Sequence, residues 1–140
     1  SVAFHFHRQI AESGTMRLFE GSEGFRRDFV FVDDAVAVNL WLLENPEVSG
    51  VFNCGTGTAR SFLDVAERMR ELADGDPTIE TIPFPEALEG RYQAYTCADL
   101  TGLRAAGYDG AFTSLEDGLG AYVARLSATG GYYRQERDAR

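Results

Sequence analysis

The sequence predicts a mixed α/β domain, and three observations carry that class. Residues 1–12, 61–73 and 114–126 place apolar side chains at a 3.6-residue period, the mark of amphipathic helices. Between them lie short apolar runs at residues 16–19, 27–32, 51–54 and 79–82, each followed by a turn, capping or helix-breaking residue, as strands are. At 140 residues, 44% hydrophobic and 25% charged, the chain has the size and composition of one folded domain with α and β elements on one core.

The first helix spans residues 1–12, with Val2, Phe6 and Ile10 on one face, and Ser13-Gly14 stops it. His5 and His7 are two apart, so on a helix they diverge and cannot share one metal. Surface or packing roles suit both; His5 can also reach a ligand beside the loop that follows. Residues 16–19 predict a strand. The loop EGSEG at residues 20–24 is a turn on composition alone. Residues 27–32 predict a buried strand, too apolar to alternate, with Arg27-Asp28 readable as a local ion pair.

Asp33 or Asp34 then caps a helix running to about Asn45. Its apolar residues go almost all the way round, so a neighbouring domain or subunit is expected to cover part of it. Residues 51–54 predict a strand ending in Gly55-Thr56-Gly57. That turn lacks the third glycine of a dinucleotide fingerprint and reads as structural. Ser61 and Asp64 have capping-box spacing at the head of the next helix. A strand at residues 79–82 gives way to the connector Pro83-Phe84-Pro85. Residues 90–95, GRYQAY, predict a strand with Tyr92 and Ala94 on one face and Arg91, Gln93 and Tyr95 on the other. Asp99 caps a short helix at residues 100–106, and Ser114 opens the last. The final segment, residues 127–140, has no period and is expected to be a mobile terminus or an assembly contact.

Composition removes several classes of function. A net charge of −9 argues against broad binding to nucleic acid or anionic membrane. All 13 basic residues are Arg, so no lysine base or Schiff base can come from this chain. Cys54 and Cys97 fit neither a zinc spacing nor a redox pair, and read as two small buried thiols in a reducing compartment. There is no 18-residue apolar run, no signal-like start and no initiator Met, which suggests the middle of a longer protein. No nucleophile with its base, paired-carboxylate or metal-ligand signature stands out. What remains is residues 19–34, FEGSEGFRRDFVFVDD: a polar loop, paired arginines, an apolar run and an acidic helix start. Such a corner can present backbone N–H groups and a guanidinium to an anion.

Those residues also carry a resemblance. RDFVFVDD with its apolar helix, and FNCGTG after it, resemble segments of the extended short-chain dehydrogenase/reductases that act on nucleotide sugars. More narrowly, SVAFH, residues 18–45 and residues 82–109, which include GRYQAYT, resemble the ADP-heptose 6-epimerase family, up to about residue 126. The resemblance implies an α/β C-terminal substrate-binding portion, residues 1–126, with the N-terminal Rossmann domain mostly absent and residues 27–45 packed against it. The family's Tyr-x-x-x-Lys pair has no counterpart here, and a second family lysine would lie just upstream of Ser1, so no catalytic residue is expected in this chain.

The resemblance also implies substrate-binding roles for His5, Phe19, Glu20, Gly21, Ser22, Arg27 and Tyr92, an ADP-heptose substrate, and NADP held mainly by the absent part. The implied reaction removes a hydride at carbon 6 and returns it to the opposite face. A homo-oligomer in the cytoplasm, with no metal, nucleic-acid or membrane partner, completes the expectation. Two alternatives stand beside it: a UDP- or dTDP-sugar epimerase or dehydratase, and a free-standing, non-catalytic nucleotide-sugar-binding module.

Overall fold

A computed structural model describes residues 1–130, and the chain forms helices α1 (Val2–Ser13), α2 (Val32–Glu44), α3 (Phe62–Leu72), α4 (Thr101–Ala105) and α5 (Leu115–Ala128). The strands are β1 (Thr15–Phe19), β2 (Arg26–Asp28), β3 (Ala59–Ser61) and β4 (Thr78–Ile82). β1 pairs in parallel with β4, Thr15 opposite Thr78 and Phe19 opposite Ile82. β2 pairs antiparallel with β3, Arg27 opposite Arg60. The expected helical stripes supply the main core. Ala3 and Phe6 of α1, Val65, Ala66 and Met69 of α3, and Leu119 of α5 close over Met16 and Leu18 of β1.

Local signals account for the helix ends. Gly14 closes α1, its N–H bonded to the Ile10 carbonyl. At α3 the Ser61 hydroxyl accepts from Asp64 N–H and the Asp64 carboxylate accepts from Ser61 N–H, the reciprocal box that spacing predicts. The Ser114 hydroxyl accepts from Asp117 N–H at the head of α5. α5 runs to Ala128, two residues into the expected tail; residues 131–140 of that tail lie outside the described residues.

Four expectations give way. The strand expected at residues 27–32 is only Arg26–Asp28. The two phenylalanines of that run pack on helices instead: Phe29 stands edge-on to Phe62 with centroids 5.6 Å apart, and Phe31 lies beneath Gly118 of α5, while Val30 is exposed. α2 therefore starts at Val32, with neither Asp33 nor Asp34 as its N-cap. Asp33 pairs with Arg125, while Asp34 accepts from Thr113 N–H (2.7 Å) and its hydroxyl (2.8 Å). Both acids face α5, yet keep negative charge at the positive end of α2. Residues 51–54 form no strand: no backbone ladder joins them to another described segment, the Asn53 side chain alone bonding the Asp99 carbonyl (3.2 Å), and Val51 is fully exposed. Residues 90–95 form a turn with a single bridge from Tyr95 to Arg26. Gly90 takes a left-handed φ of 67°, and Arg91 and Tyr92 N–H fold back onto the Leu88 carbonyl, which is turn geometry. The Asp99 carboxylate does accept from Thr101 N–H, although Leu100 occupies the cap position.

The core also divides. Val38, Leu103 and Tyr108, with Trp41, Phe52 and Phe112 against them, form a second cluster under α2, where one core was expected. Only Val38 of α2 is buried, while Val32, Val36, Leu40 and Leu43 stay exposed, Leu43 at 77%. Cys97 is exposed and Cys54 half-buried, so the expectation of two buried thiols fails.

Replacing Ser61 by Ala removes the buried hydroxyl of the capping box. The expected loss is about 1 kcal/mol of folding stability, read as a lower urea midpoint at unchanged slope. An unchanged midpoint would mean that the box contributes nothing.

Candidate functional site

The β1–β4 register brings the two strand ends together. Glu20 N–H bonds the Ile82 carbonyl at 2.9 Å, so the chain leaving β1 and the chain leaving β4 start side by side. Phe19 and Phe84 consequently meet edge-on at 5.7 Å. Residues 20–24 fold over them, with Ser22 N–H on the Phe19 carbonyl (3.1 Å) and Gly24 N–H on the Gly21 carbonyl (2.9 Å). Ser22 is buried; Glu20 and Gly21 are exposed. The loop delivers Phe25 onto Phe84 (5.4 Å) and Tyr92 (4.9 Å), and Phe84 touches Tyr92 at 5.7 Å. Edge-to-face contacts at these distances hold the four rings as one unit.

Arg27 stands at the edge of that unit. Its guanidinium lies 5.1 Å from the Tyr92 ring centroid and 5.9 Å from that of Phe62. It donates to the Arg26 carbonyl at 2.9 Å and to the Gln93 carbonyl. No carboxylate pairs with it among the described residues. A guanidinium braced by rings and carbonyls but lacking a counter-charge is suited to an anion.

Asp28 faces elsewhere, so the expected Arg27-Asp28 ion pair does not form. Its carboxylate accepts from Thr56 N–H (2.8 Å), the Thr56 hydroxyl (2.6 Å), Gly57 N–H (2.9 Å) and Ala98 N–H (3.0 Å). The Thr56 and Gly57 amides of the Gly-Thr-Gly turn are thus already committed within the chain, in keeping with the structural reading of that turn. For the same reason the turn does not fit the pyrophosphate of a dinucleotide, which needs those amides free. Burial pushes the Asp28 carboxyl up, but the bonds from Thr56, Ala98 and Gly57 outweigh it and hold the pKa below 3.8.

Of the seven residues expected to bind substrate, Phe19, Arg27 and Tyr92 converge through the ring unit, and Glu20, Gly21 and Ser22 form the loop beside it. His5 is exposed on α1, edge-on to Phe4 at 6.1 Å, and no described contact joins it to the others. Phe25, Phe84 and the Gln93 carbonyl were missed. A Phe following Gly24 and a Phe between two prolines are the sequence traces they leave. A groove of about 280 Å³ lined by Val2, Phe29, Phe31, Leu115 and Tyr122, and another of about 410 Å³ lined by His7, Arg8 and Leu126, share no residue with this site. The first is almost wholly apolar and offers nothing to hold a diphosphate, so chemistry outweighs volume in choosing the site. No group of three or more His, Cys, Asp or Glu among the described residues could hold a metal, and no described helix is long and apolar enough to cross a membrane.

Comparison with known proteins identifies the class first. Residues 1–55 match the NAD dependent epimerase/dehydratase family. Over that stretch the chain is similar to those proteins, and its fold is similar to part of theirs. More particularly, it is similar to ADP-L-glycero-D-manno-heptose-6-epimerases. It is 51% identical over 94% of its length to that protein of Brachyspira hyodysenteriae, and 56% identical over 88% to that of Alkalilimnicola ehrlichii. The solved Helicobacter pylori protein of the same name superposes with a TM-score of 0.76 at 25% identity, over 91% of this chain and 38% of that one. The chain spans about two fifths of the two curated relatives, 41% and 40% of their lengths.

Asp28 and Asp64 both have carboxyls held below their ordinary 3.8, so near that pH the folded chain binds fewer protons than the unfolded one. Their contribution to stability is complete above the ordinary carboxylate range and is lost as pH falls through the folded values. Urea unfolding from about pH 6 down to about pH 3 should therefore show stability dropping with acid, and Asp28→Asn should flatten the drop. The same acid slope in both proteins would mean that the Asp28 bonds do not favour the ionised form.

Proposed function

We propose that this chain is the substrate-anchoring part of an epimerase acting on a nucleotide-linked heptose, converting ADP-D-glycero-D-manno-heptose to ADP-L-glycero-D-manno-heptose. The observation that carries this reading is Arg27. It is an unpaired guanidinium set against Tyr92, beside the loop at residues 20–24, in a chain more than half identical to proteins named for that reaction. Arg27 takes a diphosphate oxygen through charge-assisted bonds, and the Tyr92 hydroxyl donates to phosphate or sugar. The exposed backbone of Glu20 and Gly21 borders the nucleotide. His5 joins only when a ligand, or further polypeptide, bridges it to the ring unit.

Anchoring matters to this chemistry because the sugar must present either face of one carbon to the same reagent. A fixed nucleotide handle supplies the binding energy that orients the reacting carbon without itself reacting. The reaction calls for a nicotinamide cofactor, NADP in this reading. The Gly-Thr-Gly turn does not fit it, so its site, like the catalytic pair, belongs to residues beyond this chain. The exposed apolar side of α2, with Val32, Val36, Leu40 and Leu43, is the face on which a dinucleotide-binding domain packs. The reading further includes a homo-oligomer and a cytoplasmic location.

In the polypeptide at its native length, Arg27→Ala should weaken ADP-heptose binding by about 1.5–3 kcal/mol, the scale of a hydrogen bond to a charged group. In calorimetric competition, ADP should displace the substrate better than UDP or dTDP. Unchanged affinity in the variant would remove Arg27 from the site. Preference for UDP or dTDP would transfer the chain to a different nucleotide sugar.

A further inference from the structure

Asp28 makes no ion pair among the described residues, although it follows two arginines. Each carboxylate oxygen accepts two bonds, which uses the acceptor capacity of the group. The fit is close: a Cβ on Gly55 would stand 2.6 Å from Asp28 Oδ2 and 2.7 Å from Ala98 Cβ. Three segments therefore meet on one side chain: β2, the turn at residues 55–57 and the stretch at residues 96–98.

That meeting has a consequence for Arg27. Arg26 N–H bonds the Ala94 carbonyl (2.8 Å) and Thr96 N–H bonds the Arg26 carbonyl (3.0 Å), so residues 94–98 run along β2 and end on the Asp28 carboxylate. The two residues just before that stretch supply the Tyr92 ring and the Gln93 carbonyl, which together brace the Arg27 guanidinium. Neighbours on a strand point to opposite faces, so Asp28 does not touch what Arg27 binds.

We infer that Asp28 is a positioning residue for the nucleotide site: it clamps residues 96–98 and the Gly-Thr-Gly turn to β2, and thereby fixes the backbone that holds Arg27 against Tyr92 and Gln93. The inference rests on Arg27 being the diphosphate contact. Asn at this position keeps the shape, but either way round it points its NH₂ at a backbone amide that can only donate, so the clamp opens.

The test is a double-mutant cycle on the polypeptide at its native length, with ADP as the probe in titration calorimetry at fixed salt. The proteins compared are the unmodified form, Asp28→Asn, Arg27→Ala, the double variant and Thr56→Val, which removes one hydroxyl donor and leaves all three amides. Asp28→Asn should weaken ADP binding by roughly tenfold, and that effect should vanish when Arg27 is already Ala, because the clamp acts through Arg27. Thr56→Val should weaken it by about two- to threefold with the circular dichroism spectrum unchanged. Equal losses from Asp28→Asn in both backgrounds would overturn the inference, leaving Asp28 a support of the fold alone. So would unchanged binding in a folded Thr56→Val protein if Asp28→Asn does not fold. Arg27→Ala binding ADP as tightly as the unmodified protein is a different result, which overturns the nucleotide anchor itself and the inference with it.

Discussion

Three residues of backbone hold the proposed site together. β2 is only Arg26–Asp28, too short to be secured by its ladder alone, yet it has partners on both edges. β3 pairs on one side, and residues 94–96 run along the other. The Asp28 carboxylate supplies what the short ladder cannot, gathering donors from two loops that would otherwise have no reason to stay in register with it. The alternation of a strand then sends Arg27 out of the opposite face, into the company of Tyr92 and Phe62. One side of β2 is a lock, and the other is an open cation in a chain of net charge −9. Overall acidity and a local site suited to an anion coexist because no carboxylate reaches that guanidinium among the described residues.

The helices were legible because their determinants are local. The stripe Phe62, Val65, Ala66, Met69 and the pair Ser61–Asp64 define α3 without reference to anything distant. Strands depend on partners: residues 16–19 and 79–82 found each other as β1 and β4, whereas the other strand expectations failed. Residues 29–31 are as apolar as a buried strand, but Phe29 and Phe31 pack on α3 and α5 instead. Residues 51–54 have strand composition and make no backbone ladder. The tight turn at Gly90 decided residues 90–95. The site divides in the same way. The paired arginines stood out because a guanidinium beside a Gly-rich loop has chemical meaning by itself, and the family resemblance singled out Arg27 between them. Phe25 and Phe84 did not, since their roles follow from the parallel pairing of β1 with β4 across a long stretch of chain. Asp28 was misjudged because adjacency in sequence suggested Arg27 as its partner, whereas strand geometry separates them.

The division of the core bears on how the chain works. The larger cluster, under α1, α3 and α5, supports the ring unit; the smaller, around Val38, Leu103 and Tyr108, carries α2 with much of its apolar surface uncovered. Asp33 to Arg125, Asp34 to Thr113 and Phe31 beneath Gly118 connect the two. A domain packed on α2 would thus be mechanically joined, through α5, to the core that positions the anchor. Such a link suits an enzyme in which one part holds the nucleotide while another presents the reacting groups.

The central claim is that Arg27 and the ring unit around Tyr92 hold the nucleotide diphosphate. A crystal structure of the polypeptide at its native length with ADP bound tests it most directly. The account predicts an Arg27 guanidinium nitrogen within about 3 Å of a phosphate oxygen, with the Tyr92 side chain alongside and the loop at residues 20–24 against the nucleotide. ADP seated in the apolar groove between Phe29 and Leu115, or bound with Arg27 still engaged only by Gln93 and Tyr92, would contradict it.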